Sequence, residues 1–223
     1  MSDDKQADEG EQDFMLKTPV LMSVIGAQCA LFTAIGLGLW VWAGEATSEF
    51  VSVDMRQIGI GLAIAAGMIA AGYVMFRAFP RFGEKLVRDQ VPQFPFLENK
   101  LGWLPILFIS ACAGIGEEAL FRGGMLTFAS DYVPVWLALI ATSVLFALVH
   151  LAKPVVATLI AAIGLIFGIA YLATGSLLAV MIGHAVYDVW ALWFIQEEMH
   201  RLRVFDEPPT EPGNTTEQAA SAV

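Results

Sequence analysis

The chain has 223 residues, of which 57% are hydrophobic and 15% charged, with a formal net charge of -10 and a mean hydropathy of +0.65. A soluble domain is usually about 45–50% apolar and about 25% charged. Composition therefore excludes a disordered chain, a disulfide scaffold and an ordinary water-soluble enzyme, and leaves a multi-span membrane protein. The negative charge sits at the ends: Asp3, Asp4, Asp8, Glu9, Glu11 and Asp13 open the chain, and Glu197, Glu198, Asp206, Glu207, Glu211 and Glu217 close it.

A membrane-spanning helix needs about 20 mostly apolar residues. No charge interrupts Val20–Ala43 or Ile58–Phe76, and Leu101–Ser130 is broken only by Glu117, Glu118 and Arg122. Tyr132–Ala152 is uncharged, and so is Pro154–Tyr187, which is too long for one span. Thr174-Gly175 is its natural break, because glycine ends helices at little cost. The fold expected is an all-α polytopic membrane helix bundle of about six transmembrane helices, over 18–44, 57–76, 102–128, 133–151, 154–173 and 177–196, with the active site inside the bundle. A β-barrel would need short alternating strands, and none are seen.

The first span follows an acidic stretch and exceeds the roughly 7–15-residue apolar core of a signal peptide, so it reads as a retained helix. Lys5, Lys17, Arg77, Arg81, Lys85, Arg88, Lys100, Lys153, Arg201 and Arg203 fall on one side of such a bundle, and only Arg56 lies in an opposite loop. Basic loops stay cytoplasmic, so a multi-pass protein of the cell membrane with both termini in the cytoplasm is expected. Residues 1–17 form an acidic tail, 18–100 two spans and an interfacial segment, 101–196 the functional core, and 197–223 an acidic tail expected to be disordered. Within 77–100, Phe79, Phe82, Leu86 and Val87 between basic residues predict a short amphipathic helix at the interface. The six tryptophans, at positions 40, 42, 103, 136, 190 and 193, lie near span ends, where interface anchoring is the ordinary role. Cys29 and Cys112, inside spans, read as apolar packing residues.

Ionisable residues inside a bilayer cost roughly 2.5–3.5 kcal/mol each and are functional candidates by default. Here they are Glu117, Glu118, Arg122, His150, His184 and Asp188. Glu118 and Arg122 stand four apart with the acid first, the favourable order for a helical ion pair. Glu117, rotated by about 100°, has no arginine of its own and is left available for proton transfer; a purely structural triad is the other reading. His184 and Asp188 share one helix face, so the acid could fix a histidine tautomer or help polarise a substrate oxygen, or the pair could relay protons. His150, at the end of the fourth span, could be an interface residue or a site residue. Glu117, His150 and His184 would suit catalytic zinc with an open position for water, although the HExxH signature is absent. Otherwise Glu117 activates water directly while a histidine stabilises the oxyanion. One tension is depth: on regular helices His150 lies deeper than Glu117 by roughly 9 Å.

The segments GEEALFRG (116–123), FALVH (146–150) and HAVYD (184–188), with the approach TGSLLAVMIGHA (174–185), resemble the three motifs EExxxR, FxxxH and HxxxN/D of the CPBP family, the CAAX prenyl and bacteriocin-processing intramembrane proteases. The likeness covers about residues 101–196 and rests on the order and spacing of all three motifs. It implies that Glu117 activates the hydrolytic water with His150 assisting, that Glu118 and Arg122 complete the first motif, and that His184 with Asp188 stabilises the oxyanion or helps bind a metal. Members are described as metalloproteases, and a metal-free glutamate mechanism has also been argued. Asp188 stands where the eukaryotic-type enzymes carry asparagine, so it must be protonated, act through His184 or serve a metal. The partners implied are the lipid bilayer and a membrane-associated peptide or protein substrate, with no nucleic acid. A proton-coupled transporter, or a non-catalytic immunity or scaffold protein of the same fold, are the alternatives.

Overall fold

The computed structural model describes the backbone of residues 3–206 and the side chains from Thr18 to Asp206. Most of the expected C-terminal tail, 207–223, and the side chains of the N-terminal one lie outside the described residues. The long elements are α1 (Asp3–Trp42), α2 (Met55–Ala78), α3 (Pro80–Gln90), α4 (Trp103–Glu118), α5 (Thr127–Ser130), α6 (Val135–Leu148), α7 (Pro154–Thr174) and α8 (Leu177–Arg201). A π-helical segment, Ala119–Leu126, joins α4 to α5 without a break. No strand occurs among the described residues.

Among the described residues five helices are long and apolar enough to cross a membrane: Thr18–Trp42, Met55–Ala78, Trp103–Ser130, Pro154–Thr174 and Leu177–Arg201. The expected fourth span is shorter than the sequence implied. Helix α6 has 14 residues, about 21 Å at 1.5 Å per residue, against about 30 Å of hydrocarbon. Two local causes stop it at Leu148. Pro154 opens α7 and holds Lys153 extended at φ -57, ψ 150, and Leu151 turns into the left-handed region at φ 50. His150 therefore lies in a turn and not on a helix, so a depth counted along a full-length span does not apply to it.

The break between the last two spans falls where expected. Gly175 takes φ +61 as the residue after α7, and Ser176 caps α8, its Oγ accepting from the Ala179 N–H at 3.0 Å. Helix α8 continues to Arg201, past the predicted end at 196, because its last turns are tied down from outside. Lys100 pairs with Glu197 at 2.7 Å, Gln196 exchanges hydrogen bonds with the Leu101 backbone, and the His200 ring bonds the Leu97 carbonyl at 2.9 Å.

Helix α3 is the expected amphipathic segment, with Leu86 and Val87 buried and Phe79 and Phe82 exposed. Trp40 departs from the anchor role: it is buried, stacks edge-on against Phe50, and donates from its indole N–H to the Ala46 carbonyl. Val24, Leu31, Ile35, Leu62, Leu107, Ile140 and Ile169 point outward, as lipid-facing helices require.

Helix α8 packs against α2 and α4, α1 packs against α4 and the π segment, and α6 packs against α7. Close approach depends on small residues: a Cβ on Gly36 would fall 2.1 Å from the Ala119 carbonyl oxygen. The helix widens into its π form at this contact. Two apolar clusters result. One gathers Trp40, Ala119, Phe167, Leu177, Val180 and Met181; the other gathers Val87, Leu97, Ile106, Leu192 and Met199. Glu118, His184 and Asp188 fall between them along α4 and α8.

Candidate active site

Glu117 and Glu118 end α4, and Arg122 lies in the first turn of the π segment, a widening that recurs at functional sites. The adjacent glutamates are treated differently. Glu118 is fully buried, and one of its oxygens, Oε1, accepts from Arg122 at 2.8 Å and meets His184 Nδ1 at 2.7 Å. The other, Oε2, has no hydrogen-bond partner among the described residues. Arg122 also donates to the Gly164 carbonyl of α7 at 2.7 Å. Its guanidinium lies over the Phe146 ring, 4.7 Å from the centroid, where ring quadrupole and cation attract. The charge is thus held on three sides.

Glu117 has no such partner. Its closest cationic neighbour is His184 Nε2, at 3.9 Å, and its side chain keeps 17% exposure while Glu118 keeps none. That exposure opens into a cleft of about 140 Å³ between α1 and α4, lined by Ile25, Gln28, Phe32, Ile109, Ala113 and the two cysteines. Cys29 and Cys112 are in side-chain contact across this cleft as free thiols. The sequence offered neither a neighbour, because their meeting depends on how α1 lies along α4.

His184 is fixed from both ends of its ring. Nδ1 bonds Glu118, Phe167 stacks on the ring face at 4.9 Å and 17°, and Nε2 points toward Glu117 and toward Asp188 Oδ2 at 3.4 Å. Of the three roles open to Asp188, this geometry favours action through His184. Glu117, Glu118, Arg122, His184 and Asp188 form one cluster. His150 stands one ring away: its Nδ1 is 2.6 Å from the Phe146 carbonyl, its ring packs on Phe146 at 4.8 Å, and Phe146 lies 6.2 Å from His184. Nε2 of His150 remains available.

Sequence reasoning missed Phe167, Gly164 and Gln28. Phe167 and Gly164 sit in an uncharged, evenly apolar helix whose inward face has no compositional marker; an isolated glutamine mid-span was the one visible sign for Gln28. Among the described residues no group of three His, Cys, Asp or Glu side chains is gathered to hold an ion. The donor types at Glu117, His150 and His184 suit zinc, and both histidines lie close enough to Glu117 to act on its charge.

One buried and one part-exposed carboxylate, a clamped arginine and an oriented histidine inside a helical membrane bundle are groups suited to acid–base chemistry away from bulk water. Known proteins narrow the class. The model of the Rce1-like family, type II CAAX prenyl endopeptidases, matches residues 99–190, which take in all three motifs. The resemblance read from the motifs therefore holds, and it points to a peptidase of the CAAX type in a multi-pass membrane protein. The chain is also 29% identical over 157 residues to the uncharacterized protein YpbD of Bacillus subtilis (strain 168), covering 69% of this chain and 77% of that protein. No solved structure matches significantly.

Proposed function

We propose that the protein is an intramembrane endopeptidase that hydrolyses peptide bonds of membrane-associated substrates, prenylated CAAX-type peptides foremost, using water activated by Glu117. The observation that carries this reading is the unequal partnering of the adjacent glutamates. Glu118 is saturated on one oxygen by Arg122 and His184, whereas Glu117 has only the longer 3.9 Å contact with His184 and faces the cleft.

In this reading Glu117 takes a proton from a water held by Nε2 of His150. The water oxygen bonds to the scissile carbonyl carbon, and the carbonyl π electrons move to its oxygen. His184 in its doubly protonated form gives Nδ1–H to Glu118 and turns Nε2–H toward that oxyanion, with Asp188 holding the ring's charge. Glu117 then passes its proton to the departing nitrogen, the C–N bond breaks, and a carboxylic acid and an amine leave. Every step uses side chains of this chain, and none is routed through a metal. The cleft beside α1 is the route by which an apolar segment reaches Glu117, and both termini and the basic loops face the cytoplasm.

The test is cleavage of a farnesylated CAAX-type peptide by the purified full chain in lipid nanodiscs, read as new termini by mass spectrometry. The wild type cleaves at an internal bond, His150→Ala lowers the rate by about 10²-fold or more, and prior dialysis against a zinc chelator leaves it unchanged. An inactive wild type, or a His150→Ala variant at the wild-type rate, overturns the assignment; loss on chelation overturns the metal-free route.

A further inference from the structure

The His150 ring is held locally by the Phe146 carbonyl and ring, but the backbone of the turn that carries it is weakly held from within. Helix α6 ends at Leu148, Leu151 adopts a left-handed φ of 50 that crowds its Cβ against the backbone, and Leu151 is exposed. The backbone bonds His150 N–H to Ala147 and Leu151 N–H to Leu148, at 3.3 and 3.2 Å, are long. A strained turn persists only when its surroundings determine it. Two ties reach it from outside: Gln93 Nε2 donates to the Leu151 carbonyl at 3.4 Å, and an ion pair between Lys153 Nζ and Asp89 Oδ1 at 2.9 Å joins the end of the turn to α3.

Asp89 is an unusual residue for a surface helix. It is buried, at 8% exposure, between Lys85 of its own helix and Lys153 of the turn. Hydrogen bonds from Lys85 and then Lys153 hold its carboxyl below the usual carboxylate range, so it is ionised throughout the neutral range and loses its charge only as pH falls below that depressed value. Helix α3 is itself rigidly seated, because Val87 packs with Leu97, Leu192 and Met199 against the end of α8, the helix that carries His184 and Asp188. One interfacial helix thus bears on both histidine-bearing elements.

We propose that Asp89 is a positioning residue: through Lys153 it anchors the His150 turn to α3 and so sets where the His150 ring stands relative to Glu117. The proposal rests on the reading of His150 as part of the reaction. The pair is half-exposed on the lysine side, so its contribution to global stability is small; its effect is on placement, to which catalysis is far more sensitive.

The experiment compares wild type with Asp89→Asn, Asp89→Glu, Lys153→Met and Lys85→Met in nanodiscs, by kinetics on the farnesylated peptide and by hydrogen exchange of the 148–153 amides. Asp89→Asn and Lys153→Met are expected to lower kcat about tenfold with KM unchanged, to be no worse combined than singly, and to speed exchange in the turn. Asp89→Glu restores most of kcat. Lys85→Met, which removes the other partner of Asp89 but does not touch the turn, stays near wild type. Lys153→Met leaves α3 intact and keeps the comparison meaningful if Asp89→Asn fails to fold. Wild-type kcat in Lys153→Met, or unchanged exchange at 148–153, overturns the proposal. Faster exchange in a protein that cleaves nothing upholds the tie and refutes the peptidase reading instead.

Discussion

Glu117→Gln is expected to lower peptide cleavage by about 10²–10⁴-fold, the range carried by a general base, while leaving the folded protein as stable as wild type. The two halves of this expectation have different causes. Glutamine has the size and hydrogen-bonding reach of glutamate but cannot take a proton from water. Stability is spared because, among the described residues, Glu117 makes no hydrogen bond and has no cation nearer than 3.9 Å. Neutralising this carboxylate removes a desolvation cost that offsets the loss of the 3.9 Å attraction to His184. Initial rates and a thermal melt in the same detergent check both halves. A variant that cleaves normally sinks the role of Glu117, and one that unfolds shows a structural part that the geometry does not contain.

Arg122→Met should give the opposite pattern, a loss of folding stability of about 3–5 kcal/mol, as when one partner of a buried ion pair is removed. Glu118 is fully buried, and Arg122 supplies one of the two bonds to its only partnered oxygen. Without the guanidinium, a carboxylate is left in a low-dielectric interior with only His184 to balance it. The loss reaches the site as well, because Arg122 spans Glu118, the Gly164 carbonyl and the Phe146 ring on which His150 packs. The companion Glu118→Leu/Arg122→Met should be less destabilised than Arg122→Met alone, since it leaves no orphaned charge. Denaturant titration of the helical signal checks the order. A single variant within about 1 kcal/mol of wild type, a scale set by exposed pairs, contradicts the account.

Charge pattern made much of this site legible. Acids, an arginine and histidines are so costly in hydrocarbon that Glu117, Glu118, Arg122, His184 and Asp188 stood out, and i,i+4 spacing predicted the Glu118–Arg122 pair that forms at 2.8 Å. The same spacing placed Asp188 on the His184 face, and the two meet at 3.4 Å. The closer bond is to Glu118, 66 residues away in sequence, and no local rule reaches that far. Helix boundaries followed the punctuation at Gly175 and Ser176, but α6 was read too long. Apolar composition continues through Val149–Ala152, and the proline at 154 marks the start of α7 more clearly than the end of α6. Phe167, the π widening after Glu118 and the meeting of Cys29 with Cys112 depend on which faces of uniformly apolar helices turn inward, and hydropathy does not encode that.

The most direct measurement is a single turnover of the farnesylated peptide by the purified chain in water enriched in ¹⁸O, followed by mass spectrometry of products and enzyme. The account predicts one ¹⁸O in the newly formed carboxyl group of the product and none in the Glu117 carboxylate, because Glu117 moves a proton and never bonds to the substrate. Label recovered in Glu117, the mark of a covalent acyl intermediate, or a peptide left intact, would contradict it.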